Sequence, residues 1–246
     1  MTEAEWLVCD DPLRMLGAPG VRMNDRKLRL FAVACCRRLT PSHSKHPSLF
    51  ALEVAERYAD EEMSTAELIS AERQAYVARS VWEDVSWGAT WTLAPNAPDA
   101  AAEAALSVAR CVSGVASTAA KGAALAAVVA GATADDRQAA WGQYEVAADA
   151  ARMMEFRAQA VLLRDVLGNP FRPKPAIDPT WLAWNGGTPR QLADTAYRER
   201  TFNHLPMLAD ALEEAGCTAT DLLDHCRQPG VHVRGCWVID LLTGRG

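Results

Sequence analysis

Apolar residues recur along this chain at steps of three and four, the period of helices that bury one face. Thr2 and Glu5 have capping-box spacing and predict a short first helix carrying Trp6 and Leu7, before Asp11-Pro12 and the break at Gly17-Ala18-Pro19-Gly20. A second run starts near Asn24 or Asp25 and turns Leu28, Phe31, Cys35 and Leu39 inward. After a loop from Thr40 to Pro47, Phe50, Val54 and Tyr58 form the next stripe. Ser64 and Glu67 repeat the capping-box spacing and open a helix with Leu68, Ala71, Ala75, Ala78, Trp82 and Val85 on one face.

Gly88 to Pro98 interrupts the pattern, and Asp99 then caps an alanine-rich segment that pairs as a hairpin with a long helix from Asp135. In that long helix Tyr144, Ala147, Ala151, Met154, Ala158 and Val161 are expected inward, with Asp149, Arg152 and Glu155 exposed. Gly168-Asn169-Pro170 stops it, and Pro170, Pro173, Pro175 and Pro179 mark a connection. Beyond lie a turn of helix with Trp181 and Trp184, a stop at Asn185-Gly186-Gly187, and a restart at Thr188-Pro189. Asn203 to Gly216 and Thr218 to Arg227 read as a helical pair. Val231 to Leu242 is rich in β-branched residues but has no strand to pair with, so a helix is expected there.

The pattern predicts an all-α protein, a bundle of about eight to ten helices. Residues 1–168 form the bundle, 169–179 the proline-rich connection, and 180–246 a C-terminal helical subdomain packed back on it.

Composition narrows the functions. The net charge of −6 and pI near 5.4 argue against a general affinity for nucleic acid or anionic membrane. Seven cysteines without a regular framework, and an opening MTEAEWLVCDD with no secretory pattern, point to reduced thiols in a cytoplasm. The stretch from Cys111 to Ala134 is Ala/Gly-rich and carries Lys121, which suits a tightly packed helix better than a membrane span.

Three constellations could carry function. Cys217, His225, Cys226, His232 and Cys236 lie within twenty residues. On a helix His232 and Cys236 would stand one turn apart, a spacing suited to zinc, with Cys217 and His225 or Cys226 completing a tetrahedron. Against this, a free cysteine behaves as a small buried hydrophobe, and no CxxC or HxxxH pair is present. Arg26, Arg29, Arg37 and Arg38, with Arg22, Lys27 and Lys45, form a local basic run that could read phosphates, or else are solvated flanks of a core helix paired with acids such as Glu53, Glu56, Glu61 and Glu62. Trp181 and Trp184 could form a protein-binding patch or pack in the core. Ser42-His43-Ser44 and Cys35-Cys36 lack the geometry of an activated nucleophile, and there is no phosphate loop, dinucleotide fingerprint or recognisable carboxylate pair. No residue is assigned a catalytic role. A non-enzymatic protein-interaction or scaffold role, with another protein as partner, is the leading expectation. A zinc protein or enzyme centred on the C-terminal Cys and His residues is the alternative, and nucleic-acid binding through the basic helix a further one.

Several stretches together, TEAEWLVCDDPLRML, DRKLRLFAVACCRRL, VAERYAD, GNPF with WLAWNGGT, and LPMLADALEEAGC through HCRQPGVHVRGCWVIDLLTG, resemble an uncharacterised bacterial family typical of planctomycetes. The resemblance implies a bacterial cytoplasmic protein in which both ends belong to one unit. It brings no activity, cofactor or catalytic residue.

Overall fold

The computed structural model describes residues 1–38, 47–77 and 133–245, with Glu103, Ala109 and Ser113. The tryptophans at 82, 87 and 91, the Ser42-His43-Ser44 loop and nearly all of the alanine-rich segment lie outside the described residues. Among those described are ten α-helices, one 3₁₀ turn and no strand. They run α1 (Glu3–Val8), α2 (Pro12–Leu16), α3 (Asp25–Arg37), α4 (Pro47–Ala59), α5 (Thr65–Val77), α6 (Ala134–Leu167), α7 (Pro179–Glu199), the 3₁₀ turn Phe202–His204, α8 (Leu205–Glu214), α9 (Thr220–Arg227) and α10 (Trp237–Thr243). None of the helices described is long and apolar enough to cross a membrane.

Local chemistry sets the helix starts. Thr2 accepts from the Glu5 amide while Glu5 reaches back to the Thr2 amide, and Ser64 with Glu67 does the same. Asn24 caps α3 through the Lys27 amide, and Asp11 caps α2 with Pro12 at its first position. Within α7 the backbone leaves the helix from Trp184 to Gly187, with positive φ at Asn185, Gly186 and Gly187, and resumes at Thr188-Pro189. The Asn-Gly-Gly signal therefore makes a kink between two helical pieces.

Two hydrophobic cores result. The first gathers Trp6, Met15, Phe31, Leu52, Leu162 and Leu163 from α1 to α4 and the end of α6. The second gathers Leu205, Leu208, Leu212, Leu222, Val238 and Ile239 from the last helices. α3 is buried nearly all round, including Lys27 and Arg29, because it lies between other elements rather than on the surface. Lys27 Nζ reaches from it to the carbonyls of Val166 (2.9 Å) and Gly235 (2.6 Å) and to the Asp240 carboxylate (2.6 Å). A polar seam thus joins the cores, extended by Arg26 to Asp60, Asp240 and the Tyr197 hydroxyl.

The phase expected for the long helix is corrected by the structure. Met154 and Val161 are exposed, at 71% and 48%, while Glu155, Gln159, Leu162, Leu163 and Val166 face inward. Leu162, Leu163 and Val166 bury more apolar area than the alanines that make up half of the expected stripe, so they set the phase. Glu155 goes in with them because Arg38 bonds it (2.9 Å).

Candidate metal centre

The last turn of α6 delivers Asp165 to the junction between the cores. α9 carries His225 in its last turn, the loop after it carries His232, and Cys236 is the N-cap residue of α10. One ligand atom from each of Asp165, His225, His232 and Cys236 lies within 4.8 Å of all the others. His232 Nδ1 is 2.6 Å from Asp165 Oδ1, His225 Nε2 is 3.2 Å from that oxygen, and His225 Nε2 is 3.2 Å from Cys236 Sγ. A tetrahedral zinc site with bonds of 2.0–2.3 Å has ligand-to-ligand edges of about 3.3–3.8 Å. Modest side-chain shifts therefore close this set on an ion.

The loop that makes this possible is not the helix expected from the sequence. Residues 231–236 lie outside any helix, and α10 begins only at Trp237. His232 and Cys236 converge through a turn closed by the Cys236 amide on the Val233 carbonyl (3.0 Å), with Gly235 at φ +91°. A Cβ at Gly235 would lie 3.0 Å from Leu30 Cδ1, so both backbone conformation and space call for glycine. The Val233 amide also donates to Asp165 Oδ2 (3.0 Å), fixing the carboxylate between loop and histidines.

The electrostatics follow from that cage. Burial alone would raise the Asp165 carboxyl, but the hydrogen bonds from His225 and His232 outweigh it and hold it below the ordinary carboxylate value. As an ionised carboxylate Asp165 only accepts, so the facing nitrogens, Nδ1 of His232 and Nε2 of His225, carry the protons. His232 Nε2 is left buried with no partner. His225 Nδ1 accepts from the Trp237 indole N–H (3.1 Å), consistent with its proton being on Nε2. Burial, and next the Asp165 charge, push the Cys236 thiol well above its ordinary value. A fully buried thiol held protonated is a poor free nucleophile, and it becomes a thiolate ligand when a cation displaces its proton.

Gly168, just past α6, sets the Trp237 position. It has φ +74°, and a Cβ there would lie 3.0–3.2 Å from three indole atoms. The indole therefore rests against bare backbone and presents its N–H to His225. Trp237 and His225 also line a cleft of about 290 Å³ with Trp6, Arg164 and Lys174.

Other residues singled out from the sequence lie elsewhere. Cys217 and Cys226, offered as completing ligands, are outside the four and pack in the second core, their thiols raised by burial, that of Cys226 to about 12. The ligand that the sequence did not reveal is Asp165, sixty residues upstream of His225 by numbering and carried on another helix. Trp181 is half-buried against the second core, and Trp184 is half-buried at the kink. Arg26, Arg37 and Arg38 make internal ion pairs with Asp60 and Asp240, Glu56, and Glu155, and the Arg29 guanidinium lies over the Tyr58 ring at 5.1 Å. These arginines tie helices together instead of forming one solvent-facing stripe. Cys35 and Cys36 are buried, with thiols raised by burial.

Comparison of the chain with protein-family models, curated proteins and solved structures finds no match.

Proposed function

We propose that this is a metal-binding helical protein in which Asp165, His225, His232 and Cys236 hold one zinc ion as a structural staple. The observation that carries the reading is the convergence of four ligand atoms within 4.8 Å, from α6, α9, the loop and the start of α10. One thiolate, two imidazoles and a carboxylate form a borderline-soft donor set suited to zinc. Four protein ligands complete a tetrahedron and leave no position for substrate, which favours a structural role over a catalytic one.

The ion would join the end of α6, which belongs to the first core, to the helices of the second. Its binding energy would then add to folding stability. The interaction reading based on Trp181 and Trp184 has less support, since Trp181 packs against the second core.

Cobalt substitution tests the assignment. A tetrahedral site with one thiolate should give intense visible ligand-field bands and a sulfur-to-metal charge-transfer band in the near ultraviolet. Cys236→Ser should abolish the charge-transfer band. Absence of saturable cobalt binding, or a charge-transfer band that survives in Cys236→Ser, would remove the proposal.

A further inference from the structure

On another face of the seam, five arginines surround one cleft. Arg37 comes from α3, Arg57 from α4, Arg198 from the end of α7, Arg200 from the residue after it, and Arg234 from the loop before α10; Glu53 and Glu62 complete the lining. At the base, buried Glu56 accepts paired bonds from both Arg37 and Arg200, with Arg234 Nη1 at 3.9 Å. Burial would raise that carboxyl, yet the bonds from Arg200 and Arg37 outweigh it and keep it ionised. Five guanidinium groups face three carboxylates, Glu53, Glu56 and Glu62, a local charge of +2 in a chain of net charge −6.

Arg234 and Arg200 are held in place by contacts that leave donors over, and Arg57 and Arg198 are exposed beside them. Arg234 bonds the carbonyls of Tyr197 and Arg198, which fixes it against the C-terminal end of α7, and its guanidinium lies 5.2 Å from the Tyr197 ring centre. Arg200 has a left-handed backbone, φ +57°, rare for a residue other than glycine, and this conformation ends α7 with the side chain directed to Glu56. Arg57 meets Glu62 at 3.4 Å, and Arg198 bonds the Asp194 carbonyl at 3.4 Å. A guanidinium offers five N–H donors, and Arg57, Arg198, Arg200 and Arg234 each use one or two. Fixed guanidinium groups with donors to spare and a charge excess suit the tetrahedral oxygens of a phosphoryl group.

We propose that this cleft binds a phosphate-bearing small molecule, its phosphoryl oxygens taken by Arg57, Arg198 and Arg234. The inference is independent of the metal centre, none of whose four ligands lines the cleft.

Calorimetric titration of the full-length protein with inorganic phosphate and with pyrophosphate, against sodium chloride of equal ionic strength, tests it. Arg57→Ala combined with Arg198→Ala is the decisive variant, because both side chains sit at the rim and neither bonds Glu56. Saturable binding of either anion is expected, weakened about a hundredfold in the double variant, roughly tenfold per charge-assisted contact. Preference for pyrophosphate identifies a diphosphate ligand, and equal affinity a monophosphate. Circular dichroism checks that the variant keeps the fold. Should it not, Arg198→Gln alone, which retains polarity and removes charge, is expected to weaken binding about tenfold. No saturable binding of either anion, or unchanged affinity in a folded variant, overturns the proposal.

Discussion

Replacing Asp165 by Asn keeps the side-chain shape and removes the charge, so its effect isolates the carboxylate's role. The carboxylate accepts from His232 Nδ1 at 2.6 Å, His225 Nε2 at 3.2 Å and the Val233 amide at 3.0 Å. An amide has one accepting oxygen and one donating NH2. With its oxygen toward Val233 it sets NH2 against the two imidazoles, and in the opposite orientation NH2 opposes the Val233 amide. At least one buried donor then confronts another. A charge-assisted bond contributes about 1.5–3 kcal/mol, so loss of one or two of these, with the unpaired donors left behind, should destabilise the metal-free protein by about 3–5 kcal/mol. Urea unfolding with a chelator present measures this difference. Zinc at a thousandfold excess over its Kd should add about 4 kcal/mol to the wild type. The variant should gain far less, because a neutral amide is a weaker ligand. A metal-free loss below about 1 kcal/mol, or an equal gain from zinc in both proteins, would refute the reasoning.

Three further outcomes follow from the same geometry. Gly168→Ala should cost about 2 kcal/mol or more, because a left-handed alanine costs roughly 1 kcal/mol and its Cβ must displace the Trp237 ring; thermal or urea unfolding measures it. Zinc on His225 Nε2 moves the ring proton to Nδ1, so the Trp237 indole loses its acceptor; zinc addition should change tryptophan fluorescence in the wild type and much less in Trp237→Phe. For Glu56, the folded carboxyl is held below its ordinary value of 4.5, so its stabilisation is present above that pH and disappears as pH falls through the folded value. Glu56→Gln should therefore be less stable than wild type by about 3 kcal/mol at pH 7, with the gap closing in acid, as pH-dependent unfolding would show.

How far the sequence carried depends on the kind of signal. Helix starts were legible at Thr2, Asn24 and Ser64, because capping is set by residues three apart and needs no tertiary partner. The all-α class followed from periodicity. The phase of α6 was not legible, since the inward course of Glu155 depends on Arg38, more than a hundred residues away. At the candidate centre, the proximity of His225, His232 and Cys236 in sequence drew attention to the right segment. Their arrangement depends on a loop turned at Gly235 against Leu30, a contact between distant parts of the chain. Asp165 carries no local mark at all. It lies among Leu162, Leu163 and Val166 on the buried face, where an acidic residue becomes informative only once its histidine partners are in view. For the arginines of α3 the sequence offered both a phosphate-reading run and flanks of a core helix paired with acids; Arg37 meets Glu56 as the second reading expects, while Arg26 and Arg38 meet Asp60, Asp240 and Glu155, pairings set by packing between helices.

Elemental analysis of the full-length protein, equilibrated with zinc and freed of unbound metal by gel filtration, tests the central claim most directly. The account expects close to one zinc per chain in the wild type and a large reduction in Cys236→Ser. A fully folded wild-type protein that retains no metal would contradict it.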